Sequence, residues 1–249
     1  KVNKILIKNN KINGIELKNN KVIDCDTIIF NGDPKALFDG LLGDEIQNAV
    51  SNNNINKRSL SAYVWSFTAK TQGLDLLHHN VLFNKNYKTE FDDIKRGEIP
   101  KDPTLYICAQ GSINNPRPKE KSLGRFEIII NGSPTYNHKK YNKQKEYTKC
   151  KEITFSILDS MGLKMDLKPT EEMLTTPKEF EQLFPGSQGS LYGRTPHGIS
   201  STFMRPRNKS KIKGLLLAGG GTHPGAGIPM ACLSGKHAAE MILKDLSLT

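Results

Sequence analysis

Leu215-Leu216-Leu217-Ala218-Gly219-Gly220-Gly221-Thr222-His223-Pro224-Gly225-Ala226-Gly227-Ile228-Pro229-Met230 joins an apolar run, a glycine-rich turn and a helix start. The apolar run predicts a buried strand. The glycines let a backbone or a ligand approach without interference from Cβ atoms. Pro229 suits the first helical position, because its ring presets φ and its missing N–H has no partner there anyway. Beyond it, Met230, Leu233, Ser234, His237, Ala238, Met241 and Ile242 recur at helical spacing. Strand, turn and helix N-terminus together make a place for a negatively charged or electron-rich group. The spacing fits neither G-x-x-x-x-G-K-S/T nor G-x-G-x-x-G opening a helix, and Lys236 comes too late to serve as a phosphate-loop lysine. On residue chemistry alone, the glycines are either a cofactor contact or only a turn.

Working outward, residues 1–33 read as three strands. Ile5 alternates with Ile7 and Ile15 with Leu17, Asn9-Asn10 and Asn19-Asn20 supply the turns, and the third run spans Val22 to Phe30. Residues 35–50 look helical, with Leu37, Leu41 and Ile46 on one side. Between Leu60 and Phe83, Ala62, Val64 and Ser66 alternate against Tyr63, Trp65 and Phe67, as on a strand. A short helix is expected over Tyr87–Lys95, strands over Leu105–Ala109 and Phe126–Asn131, and a loop over residues 111–122. Residues 142–165 read as a helix carrying Tyr147, Cys150, Ile153, Ile157, Leu158 and Met161, with Gly162 as its stop. Thr176-Pro177 opens a further helix, with Thr176 as its cap.

Four segments in order carry a family resemblance. They are Leu216 to Met241 with Arg205-Pro206-Arg207-Asn208 before it; Asp26-Thr27-Ile28-Ile29-Phe30-Asn31-Gly32-Asp33-Pro34; His78-His79-Asn80-Val81-Leu82-Phe83 with Tyr87, Glu90-Phe91 and Asp102-Pro103-Thr104-Leu105-Tyr106; and Thr176-Pro177 to Phe180 with Gly189-Ser190-Leu191-Tyr192-Gly193. Together they resemble the bacterial-type carotenoid (phytoene) desaturases, which are FAD-dependent oxidoreductases. Gly189 to Gly198, Ala218 to Gly221 and Ile228 to Gly235 look most like the hydroxycarotenoid (hydroxyneurosporene, methoxyneurosporene) branch. The resemblance begins about half-way along a family member. It implies a missing N-terminal half bearing the G-x-G-x-x-G turn, so that this chain is the C-terminal part of a flavoenzyme.

The implied fold is α/β, a partial Rossmann-like FAD-binding domain with an inserted mixed β-sheet and helix substrate domain. Residues 1–33 and 206–249 would belong to the FAD-binding domain and residues 34–205 to the substrate domain. Gly219, Gly220, Gly221, Thr222, Gly225, Ala226, Gly227, Ile228, Pro229 and Met230 would then contact FAD on its flavin-ring side. The implied reaction removes hydrogen from two adjacent carbons of a carotenoid, with hydride passing to flavin N5. A redox-neutral, carotenoid isomerase-like or retinoid saturase-like flavoprotein is the alternative, as is a truncated remnant without activity; the fragment alone is expected to be inactive.

For the substrate, Trp65 and Phe67 offer either a tunnel wall for a long polyene or one packed sheet face. Tyr192, Arg194 and His197 lie between Gly189 and Gly198; Arg194 and His197 would bind a terminal hydroxyl or simply make loop hydrogen bonds. No catalytic base stands out, although His197, Arg194 and Glu90 are conceivable.

The composition narrows the partners. A chain of 249 residues buries a sizeable core in one or two domains, and no run of 18 apolar residues occurs. The net charge of +11 comes mostly from scattered lysine without an aromatic-plus-basic recognition pattern, which argues against nucleic acid. The densest cluster, His138-Lys139-Lys140 with Lys143, Lys145, Lys149 and Lys151, is either a solvated face or an attraction to anionic headgroups. Cys25, Cys108, Cys150 and Cys232 form no C-x-x-C pair and suit a reduced, cytoplasmic protein; the membrane-dissolved polyene that the resemblance implies would place it peripherally on the membrane. The histidines lack metal spacing, and adjacent His78-His79 on one strand would point to opposite faces, so no metal is expected.

Overall fold

Alternating apolar residues pair into hairpins wherever a turn can reverse the chain, and the first 24 residues do this twice. A computed structural model describes residues 1–55, 57–110, 123–137, 141–195 and 204–247. In chain order the strands and helices are β1 (Val2–Lys8), β2 (Lys11–Leu17), β3 (Val22–Asp24), β4 (Ile28–Phe30), α1 (Pro34–Phe38), β5 (Ser61–Gly73), β6 (His79–Leu82) and α2 (Tyr87–Lys95). They continue as β7 (Leu105–Gln110), β8 (Gly124–Gly132), α3 (Lys143–Ser160), β9 (Leu163–Asp166), β10 (Leu174–Thr175), α4 (Pro177–Leu183), β11 (Leu215–Leu217) and α5 (Ile228–Ser247). The chain divides into two compact units, one of Lys1–Ser59 with Glu181–Thr249 and one of Leu60–Phe180. Residues 34–59 and 181–205 thus lie with residues 1–33 and 206–249, because Leu37, Ile46, Val50 and Ile55 bury in the same core as Ile5, Ile12, Leu215 and Leu217.

In the first unit, β1, β2 and β3 form an antiparallel meander. Asn9 and Asn10 both take positive φ at its first turn, as a tight hairpin requires. The run expected from Val22 to Phe30 is two strands: Cys25-Asp26-Thr27 interrupts it, and β4 leaves the meander to pair in parallel with β11. The helix expected over 35–50 is also broken. Helix α1 covers five residues, Gly40 and Gly43 interrupt at positive φ, and a 3₁₀ turn follows over Asp44–Ala49. Leu37 and Ile46 still point into the core, while Leu41 is exposed.

The second unit is a six-stranded sheet in the order β10-β5-β8-β7-β6, with β9 added to the far end of β5. Every ladder among its described residues is antiparallel, in place of the mixed sheet expected. Strand β6 reaches β7 across α2 but runs antiparallel to it, so α2 is not a crossover that returns the chain in parallel. On one face Tyr63, Trp65 and Phe67 sit opposite Ile130, Ile128 and Phe126 of β8. Helix α3 contributes Tyr147, Cys150 and Leu158 to the same core. The Trp65 ring meets Phe155 edge-on at 5.4 Å, and its indole N–H donates to the Thr154 hydroxyl at 3.1 Å.

Helix α2 has the expected limits, with Asn86 capping it by accepting from the Lys88 N–H. Helix α3 stops at Ser160, and Gly162 at φ +79° reverses the chain into β9, which occupies the residues that the longer helical reading assigned to α3. Thr176 and Glu179 cap the start of α4 reciprocally: the Thr176 N–H donates to Glu179 Oε2 at 2.8 Å, and the Glu179 N–H donates to Thr176 Oγ1 at 3.4 Å. Residues 111–122 and the basic residues 138–140 lie outside the described residues. Among those described, no helix is long and apolar enough to cross a membrane.

Truncating Trp65 to Ala should cost about 3–5 kcal/mol of stability in the second unit, visible as a lower unfolding midpoint in denaturant. Burial pushes the Cys150 thiol up to about 12, whereas Cys232 is exposed on α5. A thiol reagent at pH 8 should therefore label Cys232 in the native chain and reach Cys150 only after denaturation.

Candidate functional site

Strand β11 is buried along its length and sits in register with β4, Leu215 opposite Ile28 and Leu217 opposite Phe30. The chain leaves it through the expected glycine turn and enters α5 at Ile228, with Pro229 next. Side chains hold the turn at both ends. The Asn208 amide donates to the carbonyls of Leu217 at 2.9 Å and Ser234 at 2.8 Å, and the Gly219 N–H donates to the Ser234 hydroxyl at 2.7 Å.

Arg205 anchors its middle. One guanidinium nitrogen donates to the carbonyls of Tyr192 at 2.8 Å and Gly220 at 2.9 Å, and another to that of Arg194 at 2.9 Å. Burial, then the nearby Arg58 charge, presses its pKa below the usual arginine value, with Asp33 opposing. Close approach of the loops depends on glycine: a Cβ at Gly193 would lie 3.0 Å from the Gly221 Cα, and one at Gly221 would lie 2.8 Å from the Pro34 Cδ. Behind them, Asp33 forms an ion pair with Arg58, both side chains over nine-tenths buried. Asp33 also caps α1 by accepting from the Lys35 N–H at 2.9 Å, and Arg58 donates to the Ser187 carbonyl at 3.1 Å.

Of the expected cofactor residues, Gly219, Gly220, Gly221 and Ala226 are half-buried, Thr222 and Gly225 buried, and Gly227, Ile228, Pro229 and Met230 exposed. The Thr222 hydroxyl is buried and has no hydrogen-bond partner among the described residues. Gly227, at φ +99°, precedes α5 with no side chain to cap it, and a Cβ there would meet nothing within 4 Å. The first turn of α5 holds no acidic residue. With residues 227–230 exposed, the positive end of this 20-residue helix lies at the surface of the unit. This suits the electron-rich edge of a flavin, and the unpartnered Thr222 hydroxyl adds a hydrogen-bonding group to the same turn.

The other candidates separate. Tyr192 is exposed, and its N–H donates to the Ser59 hydroxyl at 3.1 Å. Arg194 is buried and donates to the Asn53 carbonyl and, at 3.5 Å, to Met204 Sδ, which makes it part of the loop framework. His197 lies outside the described residues. Trp65 and Phe67 belong to the packed core of the second unit, the sheet-face alternative. Glu90 is fully engaged there, accepting from Asn84 at 2.7 Å, Asn131 at 3.1 Å and the Thr104 N–H at 3.2 Å, a structural carboxylate. Nothing in the sequence pattern gives a role to Arg58; Asp33 and Arg205 lie in segments that carry the resemblance, but their partners are distant residues that no motif reveals.

A model of the family of flavin-containing amine oxidoreductases matches residues 157–243, which implies a flavin as the cofactor class. The chain is 46% identical over 246 residues to a hydroxyneurosporene desaturase of Cereibacter sphaeroides, covering 99% of this chain and 48% of that protein. It is 37% identical over 251 residues to a hydroxyneurosporene desaturase of Rubrivivax gelatinosus, covering 99% and 47%. A phytoene desaturase of Neurospora crassa is 28% identical over 253 residues, covering 96% and 41%. The chain spans about half the length of the curated relatives it matches. Among solved structures, an oxidoreductase from Methanosarcina mazei shares the fold with a TM-score of 0.52 at 15% identity, over 96% of this chain and 48% of the other. The chain is thus similar from end to end to the carotenoid-desaturase branch of the flavin-dependent oxidoreductases.

Removing Asp33 should leave Arg58 charged, buried and unpaired. Asp33→Ala is expected to destabilise the chain by about 3–5 kcal/mol in denaturant unfolding. The double variant Asp33→Ala with Arg58→Met should lose clearly less than the sum of the two single changes.

Proposed function

We propose that these residues are the C-terminal part of an FAD-dependent carotenoid desaturase, whose glycine turn and α5 start hold the flavin-ring side of FAD. The carrying observation is the run from β11 through Gly219–Gly227 into an exposed helix start, in a chain similar throughout to hydroxyneurosporene desaturases. Bound FAD would supply the oxidising chemistry, as the two-electron acceptor for the hydrogen removed from the polyene.

The chain's own residues do the positioning. Arg205, Asn208 and Ser234 fix the turn, and the α5 N–H groups favour negative charge at the ring edge, by typically 0.3–1 kcal/mol at a surface and more when buried. The first unit would supply part of a Rossmann-like FAD domain, and the second would lie within the substrate domain. The parallel pair of β4 and β11 supports this, because parallel sheets are ordinarily covered on both faces, yet Ile29 of β4 is exposed, as are Ile228, Met230, Leu233 and Leu243 of α5. A further chain segment with the G-x-G-x-x-G turn would cover such surfaces. Peripheral attachment at the cytoplasmic face of a membrane belongs to the same proposal; Phe83, 83% exposed two residues before Lys85, supports it.

The test uses the full-length protein, including sequence encoded upstream, and measures bound flavin, its reduction potential and turnover of a hydroxylated carotenoid. Gly227→Val puts a branched side chain at positive φ into the open space and should weaken flavin binding about tenfold or more, with Lys236→Ala unaffected. A folded Gly227→Val protein with unchanged flavin content and potential would overturn the assignment of the turn. Product with rearranged but not additional double bonds would replace desaturation by isomerisation, and a flavin-free wild type would leave a non-catalytic remnant.

A further inference from the structure

In the second unit, strands β6 and β7 pair so that His79 stands directly opposite Cys108, and side chains of opposite residues share a face. His78 precedes β6 and is not bound by its alternation; its carbonyl accepts from the Ala109 N–H at 2.8 Å while its ring turns back beside that of His79. The two rings meet edge-on with centroids 4.3 Å apart. One donor atom from each of His78, His79 and Cys108 therefore lies within 4.8 Å of the other two.

Two details give this cluster a purpose beyond packing. His78 Nε2 lies 3.8 Å from Cys108 Sγ, whereas its Nδ1 is buried without a partner among the described residues, so no hydrogen bond of ordinary strength fixes the ring. His79 Nδ1 lies 2.7 Å from the Tyr106 hydroxyl. With Nδ1–H donating to that oxygen, His79 presents the lone pair of Nε2, as a second partner commonly arranges for a metal-bound imidazole. Glu127 of β8, opposite Cys108 on the same face, adds negative charge.

We propose that His78, His79 and Cys108 bind a single zinc-like divalent metal ion, with an open fourth position. Zinc–sulfur and zinc–nitrogen lengths at a tetrahedral angle put S and N about 3.6 Å apart, close to the distance between Cys108 and His78. Closing donors that lie within 4.8 Å to the tetrahedral spacing takes a shift of roughly 1–1.5 Å, which the exposed His79 ring can supply. One thiolate and two imidazoles select a borderline metal over magnesium or calcium. The ion would fasten β6, the edge strand, to β7.

The test is titration of metal-free full-length protein with cobalt(II) chloride, then with zinc(II) chloride. We expect a thiolate-to-cobalt charge-transfer band that saturates at one equivalent and disappears on adding zinc. Cys108→Ser should abolish the band, and His79→Gln, at an exposed position, should weaken cobalt binding by about tenfold or more. Absence of the band in the wild-type protein, or unchanged affinity in a folded His79→Gln variant, would overturn the site. If Cys108→Ser does not fold, the His79→Gln result decides alone.

Discussion

The buried guanidinium of Arg205 is the interaction on which the candidate site depends. Its donors satisfy carbonyls of Tyr192, Arg194 and Gly220, which belong to two loops that share no strand ladder. Hydrogen bonds from a charged donor contribute about 1.5–3 kcal/mol each, and leaving such a donor buried without acceptors costs more. The loops consequently have little freedom to separate. Arg205 holds the turn at Gly220, and Asn208 and Ser234 tie it to α5. Arg58 and Asp33 extend the logic backward by tying the start of α1 to the Ser187 loop.

Local features of the fold were legible because local rules govern them. Helix α2, strands β7 and β8, and the β11–α5 junction lie where periodicity and capping residues put them, since each has its own start and stop signal. Misreadings arose where a local pattern met a tertiary constraint. Leu37, Leu41 and Ile46 have helical spacing, yet two glycines at positive φ fold the segment as a short helix and a 3₁₀ turn. Met161 continues the apolar spacing of α3 but is exposed just past its end, and Leu163 buries from a strand beyond Gly162. Val22 to Phe30 reads as one strand, although its ends pair with different partners, which no window of sequence can reveal.

The site divides along the same line. Its glycine turn and helix start were visible as a contiguous pattern. The ion pair of Arg58 with Asp33 and the Arg205 contacts join residues distant in sequence, with no period to connect them. For Trp65 and Phe67 the sequence allowed a tunnel wall or a packed face, and burial against Ile128, Phe126 and Phe155 describes the packed face. His78 and His79 show the converse error. Alternation would send them to opposite faces, but only His79 lies within the strand, so the rule lapses one residue short of the pair.

The value of the α5 terminus depends on what surrounds it. A helix end facing bulk water is screened within a few ångströms and does little to hold charge, whereas the same end in an apolar setting acts strongly. Here the turn is rigid but its outer side is open, and the core beneath α5 is small: Leu216, Ala218 and Ala238, with Ile242 against them. Exposed Ile228, Met230 and Leu233 flank the terminus. Covering those side chains would bury apolar surface and lower the dielectric around the helix end in one step. Under the proposed function, completing the domain and strengthening the helix end's effect on a bound electron-rich ring would be the same physical event, so rigidity of the turn alone would not make it a redox-tuning element.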